Sequence, residues 1–114
     1  MIAHVVLFRP KANLTDDERQ ALIGALAHAL ENIPLIARAH IGRRKILGRQ
    51  YDGFNTLQFP YAAILEFESE HDLRAYLDHP AHESLGEQFY FTSESALVFD
   101  FELLGPDRAR ELLA

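Results

Sequence analysis

Two side chains on either side of a proline carry the clearest chemical signal in this sequence. Tyr76 shares the predicted inner side of a helix with Leu73, and His82, which follows Pro80, shares a helical stripe with Phe89. An imidazole titrates near neutrality, and a phenol can donate a hydrogen bond to a carbonyl oxygen on which charge develops. The pair therefore predicts general acid–base chemistry, although each residue alone is also typical of an ordinary core or helix-start position.

A histidine and a second tyrosine lie on predicted strands. His4 alternates with Val6 and Phe8 on an otherwise apolar strand face, and Tyr61 begins a second apolar face further along the chain. A buried histidine needs a hydrogen-bond partner to offset its desolvation. We interpret both residues either as parts of the wall of a substrate pocket or as structural core residues.

His79 and His82 have the spacing of two metal ligands on one helix. However, Pro80 disfavours helical geometry at His79, and no cysteine or evident third ligand accompanies the pair. We therefore expect no metal and no cofactor, and we expect His79 to begin a helix or to contribute to a substrate pocket.

Composition excludes several classes of function. The chain has no cysteine, no Gly-rich phosphate loop and no G-x-S-x-G motif. Its net charge of −6 repels nucleic acid, and its basic cluster has two interpretations, a solvated strand end or an anion site. That cluster consists of Arg43, Arg44, Lys45 and Arg49. We find no signal peptide and no membrane-spanning run, so we expect a cytoplasmic protein that does not bind membranes.

The elements that must position these side chains follow one another as strand, helix, strand, strand, helix, strand. A first strand ends at Pro10, a capping box at Thr15 begins a helix of about 18 residues before Pro34, and Ser69 caps a second helix that Pro80 resumes. The remaining predictions are extended chain over 35–47, a loop over 48–55, a strand over 58–68 and a last strand over about 96–103. This order predicts a single α+β domain over 1–114 with the ferredoxin-like split arrangement and a four-stranded antiparallel sheet.

The sheet is expected to need a partner. Two helices cover one face of a four-stranded sheet, yet the first strand is apolar on both sides. Small apolar residues are predicted on the opposite face of the other strands: Ala62, Ile64, Ala96 and Val98. An apolar patch of this kind predicts a homodimer in which two sheets pack face to face as a barrel.

Four segments resemble one known family, the dimeric α/β-barrel or stress-responsive A/B barrel (Dabb) family. They are the first strand with His4, the third strand from Tyr61, the Tyr76-x-x-His79-Pro80-x-His82 motif and the last-strand aspartate Asp100. The resemblance extends over roughly residues 2–103. It implies a ferredoxin-like protomer and a barrel-forming homodimer.

Among members of that family, the plant polyketide cyclase olivetolic acid cyclase closes a ring by an aldol-type reaction without a cofactor. The resemblance implies Tyr76 and His82 as catalytic residues and His4 as a pocket residue. Tyr61 stands where that cyclase has a second pocket histidine, which implies a different substrate. Two alternatives remain open at this point: a non-catalytic dimeric module that binds a ligand or a protein, and a cofactor-independent monooxygenase of the antibiotic-biosynthesis type.

Overall fold

Four strands and four α-helices make up the chain, which the computed structural model describes over residues 1–114. The strands are β1 (Ile2–Pro10), β2 (Arg38–Arg43), β3 (Tyr61–Phe67) and β4 (Ser93–Glu102). The helices are α1 (Asp16–Asn32), α2 (Gln50–Phe54), α3 (Glu70–Leu77) and α4 (Pro80–Thr92), and a short 3₁₀ helix follows at Pro106–Glu111. The predicted β-α-β-β-α-β order is confirmed, with the second helix divided into α3 and α4. None of the helices is both long and apolar enough to cross a membrane.

The strands form one antiparallel sheet in the order β2-β3-β1-β4. β1 is therefore central, and β2 and β4 are the edges. In the register of the sheet, His4 lies between Leu65 of β3 and Asp100 of β4. Directly opposed residues of antiparallel strands point to the same face, so these three side chains share one side of the sheet.

Local hydrogen bonds explain where the helices begin. The Thr15 hydroxyl accepts from the Glu18 backbone N–H at 3.1 Å, and the Glu18 carboxylate accepts from the Thr15 N–H at 2.9 Å. These bonds hold the pKa of Glu18 below its usual value, as expected of a carboxylate that accepts backbone hydrogen bonds. Ser69 caps α3 by accepting from the Asp72 N–H. Both predicted caps are confirmed.

Pairing partners set the strand lengths, and here several predicted boundaries were wrong. β2 spans only 38–43 because it pairs with β3 from Glu66 to Tyr61, not over 35–47. β3 covers 61–67 instead of 58–68, and β4 begins at Ser93 because β1 continues as its partner as far as Pro10. The predicted 48–55 loop contains the helix α2, whose first turn closes when the Asp52 carboxylate accepts from the Arg49 N–H.

The core lies between the helices and one face of the sheet. Seven buried residues from α1, β3, α3 and α4 form it: Ala29, Ile33, Leu65, Phe67, Leu73, Tyr76 and Ala81. In α1, Ala29 is buried, and so is Ile33, the C-cap residue that follows the helix. In α3, Leu73 and Tyr76 are buried as predicted, whereas Leu77 is exposed.

The other face of the sheet is not covered by helices, and we call it the open face. Its apolar residues come from β1, β3 and β4: Val5, Leu7, Ala62, Ile64, Leu97, Phe99 and Phe101. The placement of Ala96 and Val98 on this face was wrong, because they pair with Phe8 and Val6 on the helix side. The larger side chains of β4 point outward instead, and Phe99 and Phe101 are each 51% exposed. The open face is thus more apolar than predicted.

Candidate functional site

Tyr76 and His82 are brought together by the break between α3 and α4. Tyr76 lies in the last turn of α3 and His82 in the first turn of α4, and their ring centroids are 4.7 Å apart in an edge-on arrangement. Between them, His79 is extended at φ −70° and ψ 139°, as a residue before proline prefers. The proline break therefore turns the chain so that two side chains from successive helices meet.

His79 lies at this break as the N-cap of α4. Its Nδ1 accepts a hydrogen bond from the Ala81 backbone N–H at 3.0 Å. The ring thus satisfies one of the free N–H groups at the helix start. No hydrogen bond or ring contact links His79 to Tyr76 or His82 through its side chain, and it is a positioning element of the break in this structure.

The His82 imidazole is oriented by the backbone. Its Nδ1 lies 3.1 Å from the Leu77 carbonyl oxygen, which accepts only when Nδ1 carries the proton. Nε2 then carries the lone pair in the neutral ring. Burial lowers the pKa of His82 below its ordinary value; the Leu77 carbonyl opposes this shift, and the nearby His4 adds to it. A neutral imidazole with a free Nε2 is the form that acts as a general base.

The Tyr76 ring is enclosed by aromatic neighbours. It is 2% exposed, and its centroid lies 5.0 Å from that of Phe67 and 6.0 Å from that of His4. Burial raises the pKa of Tyr76 to about 12, so the phenol keeps its proton at neutral pH. Its hydroxyl has no hydrogen-bond partner in the protein. The only fully enclosed side-chain oxygen or nitrogen without a partner is Ser93 Oγ, so the Tyr76 hydroxyl still reaches the surface.

His4 is held by a residue that sequence reasoning did not assign to the site. Its Nδ1 lies 2.6 Å from a carboxylate oxygen of Asp100, its directly opposed neighbour in β4. His4 is 5% exposed, while the Asp100 side chain is 47% exposed. The bond fixes the rotation of the His4 ring against Tyr76. The signal was a carboxylate on an otherwise apolar strand, but only the β1–β4 register reveals its partner.

Tyr61 lies on the same face of the sheet but at its other end. Its ring packs 5.6 Å from Phe8, which in turn lies 5.3 Å from Phe89 of α4. Tyr61 pairs with Phe8 while Leu65 pairs with His4, so four residues of strand separate the two rows, about 13 Å. The structure therefore brings together Tyr76, His82 and His4, and places Tyr61 in a separate aromatic row.

Two cavities on the periphery of the sheet lie away from Tyr76 and His82. A cavity of 170 Å³ is lined by Lys11, Asn13, Leu14, Glu18 and Phe91. One of 320 Å³ is lined by Arg9, Thr56, Leu57, Gln58, Glu94 and Ser95. No three of the histidine, aspartate and glutamate side chains converge as ligands for a metal ion.

The sequence model of the stress-responsive A/B barrel domain matches residues 2–103. The chain belongs to the Dabb family. The match includes both strands that hold His4 and Asp100 and the whole α3–α4 break. Residues 104–114, with the 3₁₀ helix, lie outside the match. Among curated protein sequences, none matches this Dabb domain significantly.

Solved structures share the fold of this Dabb domain at low sequence identity. Protein At3g17210 of Arabidopsis thaliana is 22% identical, with a TM-score of 0.73 over 92% of this chain and 97% of its own. A dimeric ferredoxin-like protein of unknown function from Thermobifida fusca is 25% identical, with a TM-score of 0.68 over 90% of each chain. A hydroxynitrile lyase from Passiflora edulis is 18% identical, with a TM-score of 0.74 over 90% of this chain and 93% of its own. These likenesses establish the ferredoxin-like fold.

Proposed function

We propose that this Dabb domain is a cofactor-independent acid–base enzyme that acts on a small carbonyl compound. The observation that carries the proposal is the Tyr76 hydroxyl, which has no protein partner and belongs to a ring packed against His82. Because this hydroxyl reaches the surface and bonds to no protein group, it is free to donate a hydrogen bond to a substrate oxygen. His82, kept neutral by burial, supplies a base next to that donor.

The two residues suit a reaction that passes through an enolate. His82 Nε2 removes a proton from a carbon next to a carbonyl group, and the Tyr76 hydroxyl donates a hydrogen bond to the oxygen on which negative charge develops. The enolate carbon then attacks a second carbonyl carbon of the same molecule, and a carbon–carbon bond forms. His82 returns the proton to the new alkoxide oxygen. No electrons are gained or lost overall, so the reaction needs no redox partner.

His4 and Asp100 support this site as positioning residues. The Asp100 carboxylate holds His4 Nδ1, and the His4 ring lies against Tyr76. The pair of strands thereby keeps the phenol ring from rotating away from His82. A catalytic hydroxyl that is misplaced by an ångström loses much of its effect, so this support is part of the proposed machinery.

The substrate class follows from the walls of the site and from the resemblance to the polyketide cyclase. We infer an apolar poly-oxo or phenolic compound, because aromatic and aliphatic side chains surround the polar pair. Tyr61 replaces the second pocket histidine of that cyclase, which favours a substrate other than the cyclase's own. The passion-fruit protein with the same fold is a hydroxynitrile lyase, so this fold accommodates lyase chemistry elsewhere.

The active form is proposed to be a homodimer joined through the open face. Structural relatives from Thermobifida fusca and Bacteroides fragilis are dimeric ferredoxin-like proteins. In this chain, Ile64, Phe99 and Phe101 expose 41%, 51% and 51% of their surface on that face. Isolated soluble chains seldom leave so large an apolar patch uncovered. A two-fold contact between two such faces would close the sheets into a barrel.

A second candidate is a non-catalytic dimer that binds a ligand or a protein. It is favoured by the 2% exposure of Tyr76, which leaves little of the ring open to a ligand. In that case the Tyr76–His82 contact is packing between α3 and α4.

Thermal unfolding with a panel of phenolic and poly-oxo compounds distinguishes the two candidates. A compound that binds only the folded state raises the unfolding midpoint, by about 2.7 kcal/mol of stability at a hundredfold excess over its dissociation constant. We expect one class of compound to stabilise the wild type, and we expect this effect to be reduced in Tyr76→Phe and His82→Asn. His71→Asn is the matched control for His82→Asn, because His71 is exposed at the start of α3.

Turnover of the stabilising compound then decides between enzyme and binding protein. If the protein is an enzyme, Tyr76→Phe and His82→Asn should each lower kcat/KM by about a hundredfold or more, and the His71→Asn control should leave it unchanged. Binding without turnover in the wild type would support the non-catalytic dimer. If both site variants converted the compound as fast as the wild type does, the pair would have no catalytic role.

A further inference from the structure

The segment between β2 and β3, residues 44–60, projects from one end of the sheet, and we call it the arm. It includes α2, which has no buried residue. Five of its six large apolar side chains are 57–73% exposed, and the sixth, Phe59, is partly buried; the five are Ile46, Leu47, Tyr51, Phe54 and Leu57. Such a cluster within one short segment marks an interaction surface.

Polar contacts hold the arm in place, so its apolar surface is preformed. Arg44 donates its backbone N–H to the Pro60 carbonyl at 2.8 Å, and its guanidinium pairs with Gln58 and with Asp52. Arg9 of β1 donates from Nε to the Gln58 carbonyl at 2.8 Å. A surface that is already ordered loses little conformational entropy when it binds, which favours a stable interface.

The arm carries a charge opposite to that of the rest of the chain. It has Arg44, Lys45 and Arg49 against Asp52, whereas the whole chain has a net charge of −6. Three of the four residues of the basic cluster, which the sequence left open as a strand end or an anion site, thus lie on the apolar arm, and the fourth, Arg43, ends β2. Complementarity of charge favours an acidic partner, and a second copy of this chain is acidic.

A matching acidic and aromatic surface lies on the outer side of α4. Glu83, Glu87 and Tyr90 follow at i, i+4 and i+7 on one exposed stripe, and Phe91 lies beside them. Tyr90 and Phe91 are 88% and 56% exposed. The C-terminal end of this stripe, with Tyr90 and Phe91, and the arm belong to the same end of the sheet, because Arg43, the last residue of β2, shares a row of paired residues with Ala96, near the start of β4.

We propose that the arm of each protomer docks on the α4 stripe of a second copy. The inference rests on the proposed face-to-face dimer: in a two-fold barrel with β2 beside the partner's β4, each arm lies next to the C-terminal end of the partner's α4. The single chain is flatter and more extended than a compact domain, as expected of a chain that packs against a second copy. Its radius of gyration is 15.7 Å, whereas a compact chain of similar length has about 13 Å, and the molecule measures only 17 Å along its shortest axis.

Sedimentation measurements on variants test the docking separately from the sheet contact. Ile46→Ser/Phe54→Ser is expected to raise the dimer dissociation constant by about tenfold or more, as loss of an apolar anchor does. Leu112→Ser/Leu113→Ser is the matched control, because these leucines are also exposed but lie in the C-terminal tail. An arm variant that dimerises like the wild type, while Phe99→Glu is monomeric, overturns the docking and leaves the sheet dimer intact.

Charge exchange and crosslinking identify the surface that the arm contacts. Arg49→Glu is expected to weaken the dimer, and adding Glu87→Lys is expected to restore it. The chain has no cysteine, so Asn55→Cys and Glu87→Cys chains can be mixed and joined by a bifunctional maleimide. A product of two chains that requires both cysteines supports the contact, and Glu31→Cys in place of Glu87→Cys is the control. Failure of both the charge exchange and the crosslink overturns the proposal, as does an arm that binds phosphatidylserine vesicles instead of a second copy.

Discussion

His4 and Asp100 lie directly opposite each other in neighbouring antiparallel strands, and His4 Nδ1 is 2.6 Å from the Asp100 carboxylate. Almost a hundred residues of chain separate the two positions. The bond links the central strand of the sheet to an edge strand at the point where Tyr76 packs on the sheet. It therefore ties the geometry of the candidate site to the pairing of β1 with β4.

Asp100→Asn tests whether this bond positions the site. We expect the fold to persist, because the Asp100 side chain is nearly half exposed, and we expect kcat/KM for an identified substrate to fall by about ten- to a hundredfold. The nitrogen chemical shifts of the His4 ring should also change, since Nδ1 loses its carboxylate partner. Glu102→Gln is the control: Glu102 is on the same strand and face and has no side-chain partner. Equal kcat/KM values for Asp100→Asn and the control would show that Asp100 does not position the site.

Tyr76→Phe separates the hydroxyl from the ring. The hydroxyl bonds to no protein group, so its removal should change the free energy of unfolding by less than about 1 kcal/mol. Tyr76→Ala also removes a buried ring and should cost roughly 3–5 kcal/mol. Urea unfolding measures both values. A loss of more than about 2 kcal/mol in Tyr76→Phe would mean that the hydroxyl has a structural partner.

The lowered pKa of His82 predicts a dependence of stability on pH. Above the unfolded value of about 6.5, the ring is neutral in both states and the stabilising contribution is complete. Below it, the unfolded chain takes up a proton before the folded chain does, so stability falls as the pH drops from 6.5 through the folded-state pKa. Urea unfolding should show that the free energy of unfolding falls less between pH 7.5 and pH 5.5 in His82→Gln than in the wild type.

The wild type and His82→Gln share all the other histidines, so the difference between their pH dependences of stability reports on His82 alone. His71→Gln is the control, because His71 is exposed at the start of α3. The same change in the pH dependence for both variants would contradict the assignment to His82.

Phe99→Glu tests the open face as the dimer contact. Phe99 and Val98 are adjacent and equally exposed, at 51% and 50%, but they point to opposite faces of the sheet. A buried charge in a two-fold contact appears twice, so Phe99→Glu should give a monomer by sedimentation at concentrations where the wild type is dimeric. Val98→Glu should remain dimeric. If Val98→Glu dissociated and Phe99→Glu did not, the contact would involve the helix side.

Local signals in the sequence determined α1, α3 and α4 and the break between α3 and α4. Thr15 with Glu18 marks the start of α1, and Ser69 marks the start of α3. Pro80 predicts both the extended conformation of His79 and the resumption of a helix, which brings Tyr76 next to His82. These features depend on residues within one or two helical turns, so the sequence alone was sufficient for them.

Only the tertiary structure decided which residues meet across the sheet. Alternation along β4 separates Val98 and Asp100 from Phe99 and Phe101, but a period of two residues does not specify which set faces the helices. The pairing of β1 with β4 settles this, and it gives His4 its partner Asp100. The same holds for the arm, where the Gln58 carbonyl accepts a hydrogen bond from Arg9 of β1. Such contacts depend on register and on distant chain segments, whose energies no local pattern contains.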